Sequence, residues 1–231
     1  MNIIPDHHPL YLIGDYHCNT ERLIEKLELI KGPATLIMLG DYSTYDAQGI
    51  SDLATLLSGY DVHSYLLRGN HDNPKYWQDR SLADILETPA FKLLEDVDSL
   101  QWRQLKITTV SGAISVDRSC IRTDNGKCWP AQEAIDTNVI AKVLELGHAD
   151  ILLSHTGIVE GVTAKNQFVE SFASTDDTLI DDINAERLLI QKIMIASNCQ
   201  KHYFGHFHQS WQGEHFGVQA RCLDICELVQ L

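Results

Sequence analysis

An α/β fold is predicted by three observations. Short apolar runs recur along the chain, amphipathic helical patterns separate them, and glycine or polar turn residues mark most of the boundaries. LYLIG (10–14), ATLIMLG (34–40), VHSYLLRG (62–69), ITTVSGA (107–113), DILLSH (150–155) and HYFGH (202–206) read as buried strands. Between the first two, TERLIEKLELIK places Leu23, Leu27 and Ile30 on one face, and Gly32-Pro33 ends the helix. AIDTNVIAKVLELG aligns Ile135, Val139, Val143 and Leu146, with Gly147 as its cap. DINAERLLIQKIMIA gives a third helix over 182–196, and the tail ARCLDICEL reads as a closing antiparallel strand, so the sheet system is mixed. Two stretches, 114–130 and 157–180, read as long loops of the kind that cover binding sites. There is no repeat, low-complexity tract or linker, and 231 residues suit a single domain spanning 1–231.

Composition narrows the function. Hydrophobic residues at 44% and charged residues at 22% fit a soluble globular chain, and no apolar run approaches the roughly 20 residues that span a bilayer. A net charge of −14 argues against affinity for duplex nucleic acid or anionic lipid. It leaves room for an anionic small molecule, because a bound cation reverses the field locally. The first residues, MNIIPDHHPL, lack the pattern of a secretory signal. The six cysteines are scattered without a CxxC pair, which suits reduced thiols and a cytoplasmic location.

Polar clusters sit at the carboxyl ends of the strands. GDYH follows LYLI, GDYS (40–43) follows TLIML, RGNHD (68–72) follows SYLL, SHTG (154–157) follows ILL, and GHFH (205–208) follows HYF. In open α/β sheets this edge is where loops converge on a ligand. A lone Asp after a strand is ordinarily a turn or cap, and a lone His is ordinarily structural; His7, His8, His63, His148, His202 and His215 keep that bland reading. Five clusters at one edge change the balance. They offer two Asp, one Asn and four His as hard-to-borderline donors, a set that suits Mn²⁺, Fe or Zn²⁺. Seven donors exceed one tetrahedral ion and match two ions sharing a carboxylate.

The ordered set GDYH, GD, GNHD, SH and GHFH resembles the calcineurin-like metallophosphoesterase superfamily, over residues 14 to 208. The resemblance implies a metallophosphoesterase-like αββα sandwich, two facing mixed sheets flanked by helices. It also implies two divalent metal ions, Mn²⁺ before Fe or Zn²⁺. Asp15, His17 and His208 would hold the first, and Asn70, His155 and His206 the second, with Asp41 bridging both. His71 would protonate the leaving oxygen, with Asp72 orienting it. The implied reaction is attack of a metal-bound hydroxide on a phosphate ester, in a phosphatase acting on a phosphorylated small molecule, nucleotide or phosphoprotein.

Departures sharpen the reading. The Ser/Thr protein phosphatase branch carries GDxxDRG, whose arginine clamps phosphate; here GDYSTYDAQG has Thr44 in place of the second Asp and no following Arg, with Asp46 as a stand-in. Arg68, just before GNHD, reads better as a structural pair than as a clamp. Arg118 and Arg122, near Lys127 and Trp129, read either as a phosphate-recognition loop or as a solvated loop tied down by Trp129. SGAISVDR resembles a GGAxSxDR segment of bacterial and phage members and favours a positional role. Tyr16 and Tyr42 read as substrate contacts or as packing.

The alternatives are a phosphodiesterase or nuclease on the same scaffold, a protein phosphatase, an inactive metal-stabilised binding module, and a thiol hydrolase built on Cys18. Adjacent side chains splay apart, so His17 is badly placed to activate that thiol. Cys18 stands where the family usually has Gly.

Overall fold

The structure, a computed structural model, describes residues 2–42, 45–119, 129–158 and 166–231. Two mixed sheets form. The seven-stranded sheet runs in the order β1 (Asn2–Ile4), β6 (Val97–Trp102), β7 (Leu105–Val110), β8 (Ile151–Ser154), β9 (Lys201–Phe204), β11 (Val218–Cys222) and β10 (Trp211–His215). The five-stranded sheet runs β12 (Leu228–Gln230), β2 (Leu10–Ile13), β3 (Ala34–Met38), β4 (Val62–Leu66) and β5 (Phe91–Leu93). Its strands β2 to β5 are parallel, with β12 antiparallel to β2; in the larger sheet β7, β8, β9 and β11 are parallel.

Continuous apolar sequence in the central strands corresponds to burial on both faces: every residue of β3 and β8 is buried. Leu10, Leu12, Ile37 and Leu39 pack from the smaller sheet against Leu100, Ile107, Ile151 and Leu153 of the larger one. Each such side chain contributes about 1.5–3 kcal/mol by leaving water. On the outer face of the smaller sheet, helices α1 (Thr20–Leu27) and α2 (Ala47–Ser58) place Leu23, Leu27, Ile50, Leu53 and Leu57 against Leu36 and Met38. The short α3 (Lys75–Gln78) and α4 (Arg80–Leu86) complete that layer through Trp77 and Ala83. On the other side, beyond α5 (Pro130–Glu133), lie α6 (Val139–Leu146), α7 (Asn166–Ala173) and α8 (Leu179–Ser197). Val139, Val143, Ile190, Ile193 and Met194 cover Val110, Leu152 and Phe204. The layers are therefore helix, sheet, sheet, helix.

Two expectations are corrected. The tail is two strands rather than one: β11 joins the larger sheet parallel to β9, and β12 crosses to the smaller sheet. The turn between them is tied by the N–H of Asp224 on Glu227 and by Cys226 at φ 51°. The stretch 157–180 contains a helix, α7, whose eight residues NQFVESFA include Phe172 on an apolar face. Residues 120–128, including Arg122 and Lys127, lie outside the described residues, as does Thr44.

Candidate metal centre

Each candidate ligand follows a parallel strand, three of them in the smaller sheet and two in the larger. Asp15 and His17 follow β2, Asp41 follows β3, Asn70 to Asp72 follow β4, His155 follows β8, and His206 and His208 follow β9. The two sheets are arranged so that these carboxyl ends meet. Ligand atoms of Asp15, His17, Asp41 and His208 lie within 4.8 Å of one another, as do those of Asp41, His155 and His206. Asp41 belongs to both groups.

The loops close tightly because the backbone is bent to do so. His17, Asp41, His206 and His208 have φ of 46°, 54°, 69° and 49°, in the left-handed region that costs a non-glycine residue energy and tends to mark functional turns. Glycine permits the closest approaches. A Cβ on Gly205 would stand 2.1 Å from Asp15 Oδ1, and Gly40, at φ 111°, leaves space that a Cβ would take from His155 Nδ1. The N–H of His206 donates to both oxygens of Asp15, at 3.0 and 2.9 Å.

Donor orientation tests whether cations fit. Nδ1–H of His155 donates to the carbonyl of Leu39 at 2.7 Å, which leaves Nε2 2.9 Å from Asn70 Oδ1 and 3.2 Å from Asp41 Oδ1. Asn70 donates its amide Nδ2 to Ser115 Oγ at 2.8 Å, so its oxygen is the atom facing the histidines; His206 Nδ1 is also 2.9 Å from it. A ring nitrogen lone pair pointed at two oxygens is satisfied only by a cation among them, either a proton or a metal. His17 Nε2 and His208 Nε2 face each other at 2.8 Å, with Asp41 Oδ2 3.4 Å from the first and Asp15 Oδ2 3.2 Å from the second. This donor set fits two hard-to-borderline divalent ions.

Protonation without metal follows the same geometry. Burial disfavours charge on His155, but Asp41 and Asp15 outweigh it and raise its pKa to about 10. Burial also opposes the charge on Asp41, yet His155 and the neighbouring histidines hold that carboxyl well below the usual range. His206 is pushed well below the ordinary histidine value by burial and by the charge on His155. His208 is raised by its bond to Asp15.

Around this core, the backbone N–H of His71 donates to Asp41 Oδ1 at 2.9 Å, and its ring centre is 5.2 Å from that of His17. Asp72 is fully buried and accepts the N–H of Tyr42 and of Gly69, at 2.8 and 2.9 Å, tying the β3 and β4 loops together. Arg118 holds Asp176 with two nitrogens and reaches Asp182 and Thr178, so its charge is committed to the start of α8. Arg68 is buried on Asp96 and the carbonyl of Glu133. Asp46 caps α2 through the N–H of Gly49. Tyr42 is fully buried with its hydroxyl on the carbonyls of Met38 and Leu67, and Tyr16 bonds Thr20. Cys18 donates to the carbonyl of Tyr42, and desolvation followed by the charge of Asp72 raises its pKa, the opposite of an activated thiol.

A pocket of about 430 Å³ opens on the centre. Asp41, Asn70, His71, His206 and His208 share its lining with Ile114, Val116, Phe172, Ile183, Phe207, Glu186 and Arg187. Sequence reading overlooked Ser115, Glu186 and Arg187. Ser115 had a signal, since it lies in SGAISVDR; the other two sit inside an ordinary helical pattern.

Comparison with known proteins places this geometry. A family model described as calcineurin-like phosphoesterase matches residues 8–210. Among curated proteins, none matches by sequence. A solved phosphopantetheinyl hydrolase, PptH of Mycobacterium tuberculosis, is similar at 14% identity and TM-score 0.54, covering 99% of this chain and 97% of that one. TT1561 of Thermus thermophilus is similar at 12% identity and TM-score 0.60, covering 94% and 90%. Likeness at this level of identity is likeness of fold.

Proposed function

Because the chain belongs to the calcineurin-like phosphoesterase family, we propose that it is a metal-dependent phosphatase that hydrolyses a phosphate monoester, with His71 as proton donor. One observation carries the reading: two ligand groups share Asp41 beside a pocket into which His71 also faces. Asp15, His17, Asp41 and His208 would hold one divalent ion, and Asn70, His155 and His206 with Asp41 the other, the donors suiting Mn²⁺, Fe or Zn²⁺, of which we propose Mn²⁺. Two such ions supply charge for the phosphoryl oxygens and lower the pKa of water toward neutrality.

The remaining work falls to side chains of this chain. Asp41 accepts the N–H of His71 and so fixes the start of that residue at the centre. Asp72 holds the loop and keeps His71 at the pocket lining. From there the imidazole delivers a proton to the departing alkoxide, which otherwise leaves slowly. Leu39 and Ser115 hold His155 and Asn70 in the orientation that turns their donor atoms inward. The acidic surface and recessed pocket suit a small ester better than a polyanion. A cytoplasmic location accords with the four cysteines that are free among the described residues, and among those residues no helix is long and apolar enough to cross a membrane.

The test is His71→Ala with Mn²⁺ supplied. Turnover of glycerol phosphate should fall about 10²–10⁴-fold, while p-nitrophenyl phosphate, whose leaving group needs no acid, loses far less. Equal losses on the two would sink the proton-donor role. Faster cleavage of bis(p-nitrophenyl) phosphate than of the monoester would make the enzyme a diesterase.

A further inference from the structure

The arginines of this chain divide unevenly. Arg68, Arg80, Arg118 and Arg221 each meet a carboxylate. Arg187, on α8, makes no hydrogen bond or ion pair among the described residues, and its Nε is buried without a partner. Its guanidinium carbon lies 5.4 Å from the centre of the Phe207 ring, between the ligands His206 and His208 in sequence. The neighbouring Glu186 does not neutralise it by contact, because that carboxylate accepts the N–H of Ile114 and of Ile135. The side chain is half-buried and its Nε is closed off from water, so an anion arriving from the pocket would give that nitrogen the partner it lacks.

The same pocket is walled by apolar side chains. Ile114, Val116, Phe172 and Ile183 face the space that holds His71 and the candidate ligands. A bare phosphate or a short polyol phosphate has nothing to place against them, whereas an aliphatic or aromatic body would displace water from all four. Arg187 also borders an adjoining recess of about 260 Å³ with Ile180 and Ile183, so it stands where an extended ligand would pass.

Resting on the phosphatase reading, we infer that the substrate is an amphiphilic phosphate ester whose leaving group carries an apolar body and a second anionic group. The apolar body lies along Ile114, Val116, Phe172 and Ile183, and Arg187 receives the second anion. Arg187 is thus a specificity-determining residue, supplied by the last long helix.

Non-hydrolysable phosphonates test this by calorimetry on the Mn²⁺-loaded protein, with methylphosphonate as the reference within each variant. Hexylphosphonate should bind at least about tenfold tighter than methylphosphonate, since a fully buried methylene is worth roughly a factor of four. 6-Phosphonohexanoate should gain about tenfold again through its carboxylate. Phe172→Ser should erase most of the hexyl gain, and Arg187→Met should erase the carboxylate gain while keeping the hexyl gain. Equal binding of methyl- and hexylphosphonate overturns the apolar half, and a carboxylate gain that survives Arg187→Met overturns the other. If no phosphonate binds and p-nitrophenyl phosphate is not turned over, the phosphatase reading fails and takes this inference with it. Turnover of p-nitrophenyl phosphate alongside no preference among phosphonates leaves that reading standing and overturns only the substrate class.

Discussion

The two candidate ligand groups are built from similar residues but sit in different surroundings. His155 and Asn70 are 0% and 2% exposed and are braced by Leu39 and Ser115, whereas His17 and His208 keep 21% and 44% of their side chains in contact with solvent. The difference teaches that a matched ligand count does not make matched sites. A buried, braced donor has its orientation set before any ion arrives, and removing it leaves other buried groups without partners. An exposed donor can be replaced in part by water.

The largest test breaks the comparison directly. His155→Ala should lower metal affinity at the buried group by about 100-fold or more, because Asp41 and the carbonyl of Leu39 also lose their partner. His208→Ala should cost distinctly less, on the order of tenfold. Chelator competition on each purified variant measures both, and equal losses would show that the burial difference has no bearing on binding.

A smaller effect comes from acidity. In the metal-free protein His155, with its pKa raised to about 10, carries a proton at neutral pH on the nitrogen proposed to hold an ion. Metal binding must therefore release that proton, and apparent affinity at the buried group should rise with pH, by up to about tenfold per unit up to pH 10. Proton release on adding Mn²⁺ at pH 7, followed in weak buffer, is the readout; uptake without release would place the proton elsewhere.

The smallest test contrasts two buried histidines. His202, on β9 in register with Leu152 of β8, bonds Ser154 at 2.6 Å, and that serine spends its only hydroxyl proton on the carbonyl of Thr156. His202 must then donate through Nε2–H, leaving Nδ1 buried and bare, and burial pushes its pKa down to about 3. Its folded pKa lies below the unfolded value of about 6.5, so its contribution is intact above 6.5 and is lost as pH falls toward 3. His202→Gln keeps a donor and cannot titrate. Its unfolding free energy, measured in urea, should fall less steeply than that of the wild type between pH 6.5 and 4, by at most about 1.4 kcal/mol per pH unit. Parallel slopes would mean that the imidazole is not held neutral.

The contrast between regions also explains what could be read from residues alone. The strands β2, β3, β4, β8 and β9 were legible because each carries buried apolar residues and ends in a polar cluster whose members had to converge, and β7 was legible from its buried run ITTV. The edge strands β1, β5 and β10 carry too few buried residues to leave that mark. Helix α2 was hidden because its cap, Asp46, looked like part of a phosphate-clamp motif. Within the site, residue identity was legible while conformation was not: nothing in GHFH announces φ of 69° and 49°. Arg187 was illegible for another reason. Adjacent side chains on a helix do not face each other, so Glu186 and Arg187 diverge, and only the approach of α8 to Phe207 sets the cation at the pocket.

The sharing of Asp41 has a thermodynamic consequence. One of its oxygens stands 3.2 Å from His155 and the other 3.4 Å from His17, so a single carboxylate reports the state of each group to the other. An ion that draws electron density from one oxygen alters what the other can offer, and by linkage the influence is the same in both directions. Two ions sharing Asp41 would therefore bind with linked affinities, occupancy at the exposed group weakening the carboxylate's hold on an ion at the buried one.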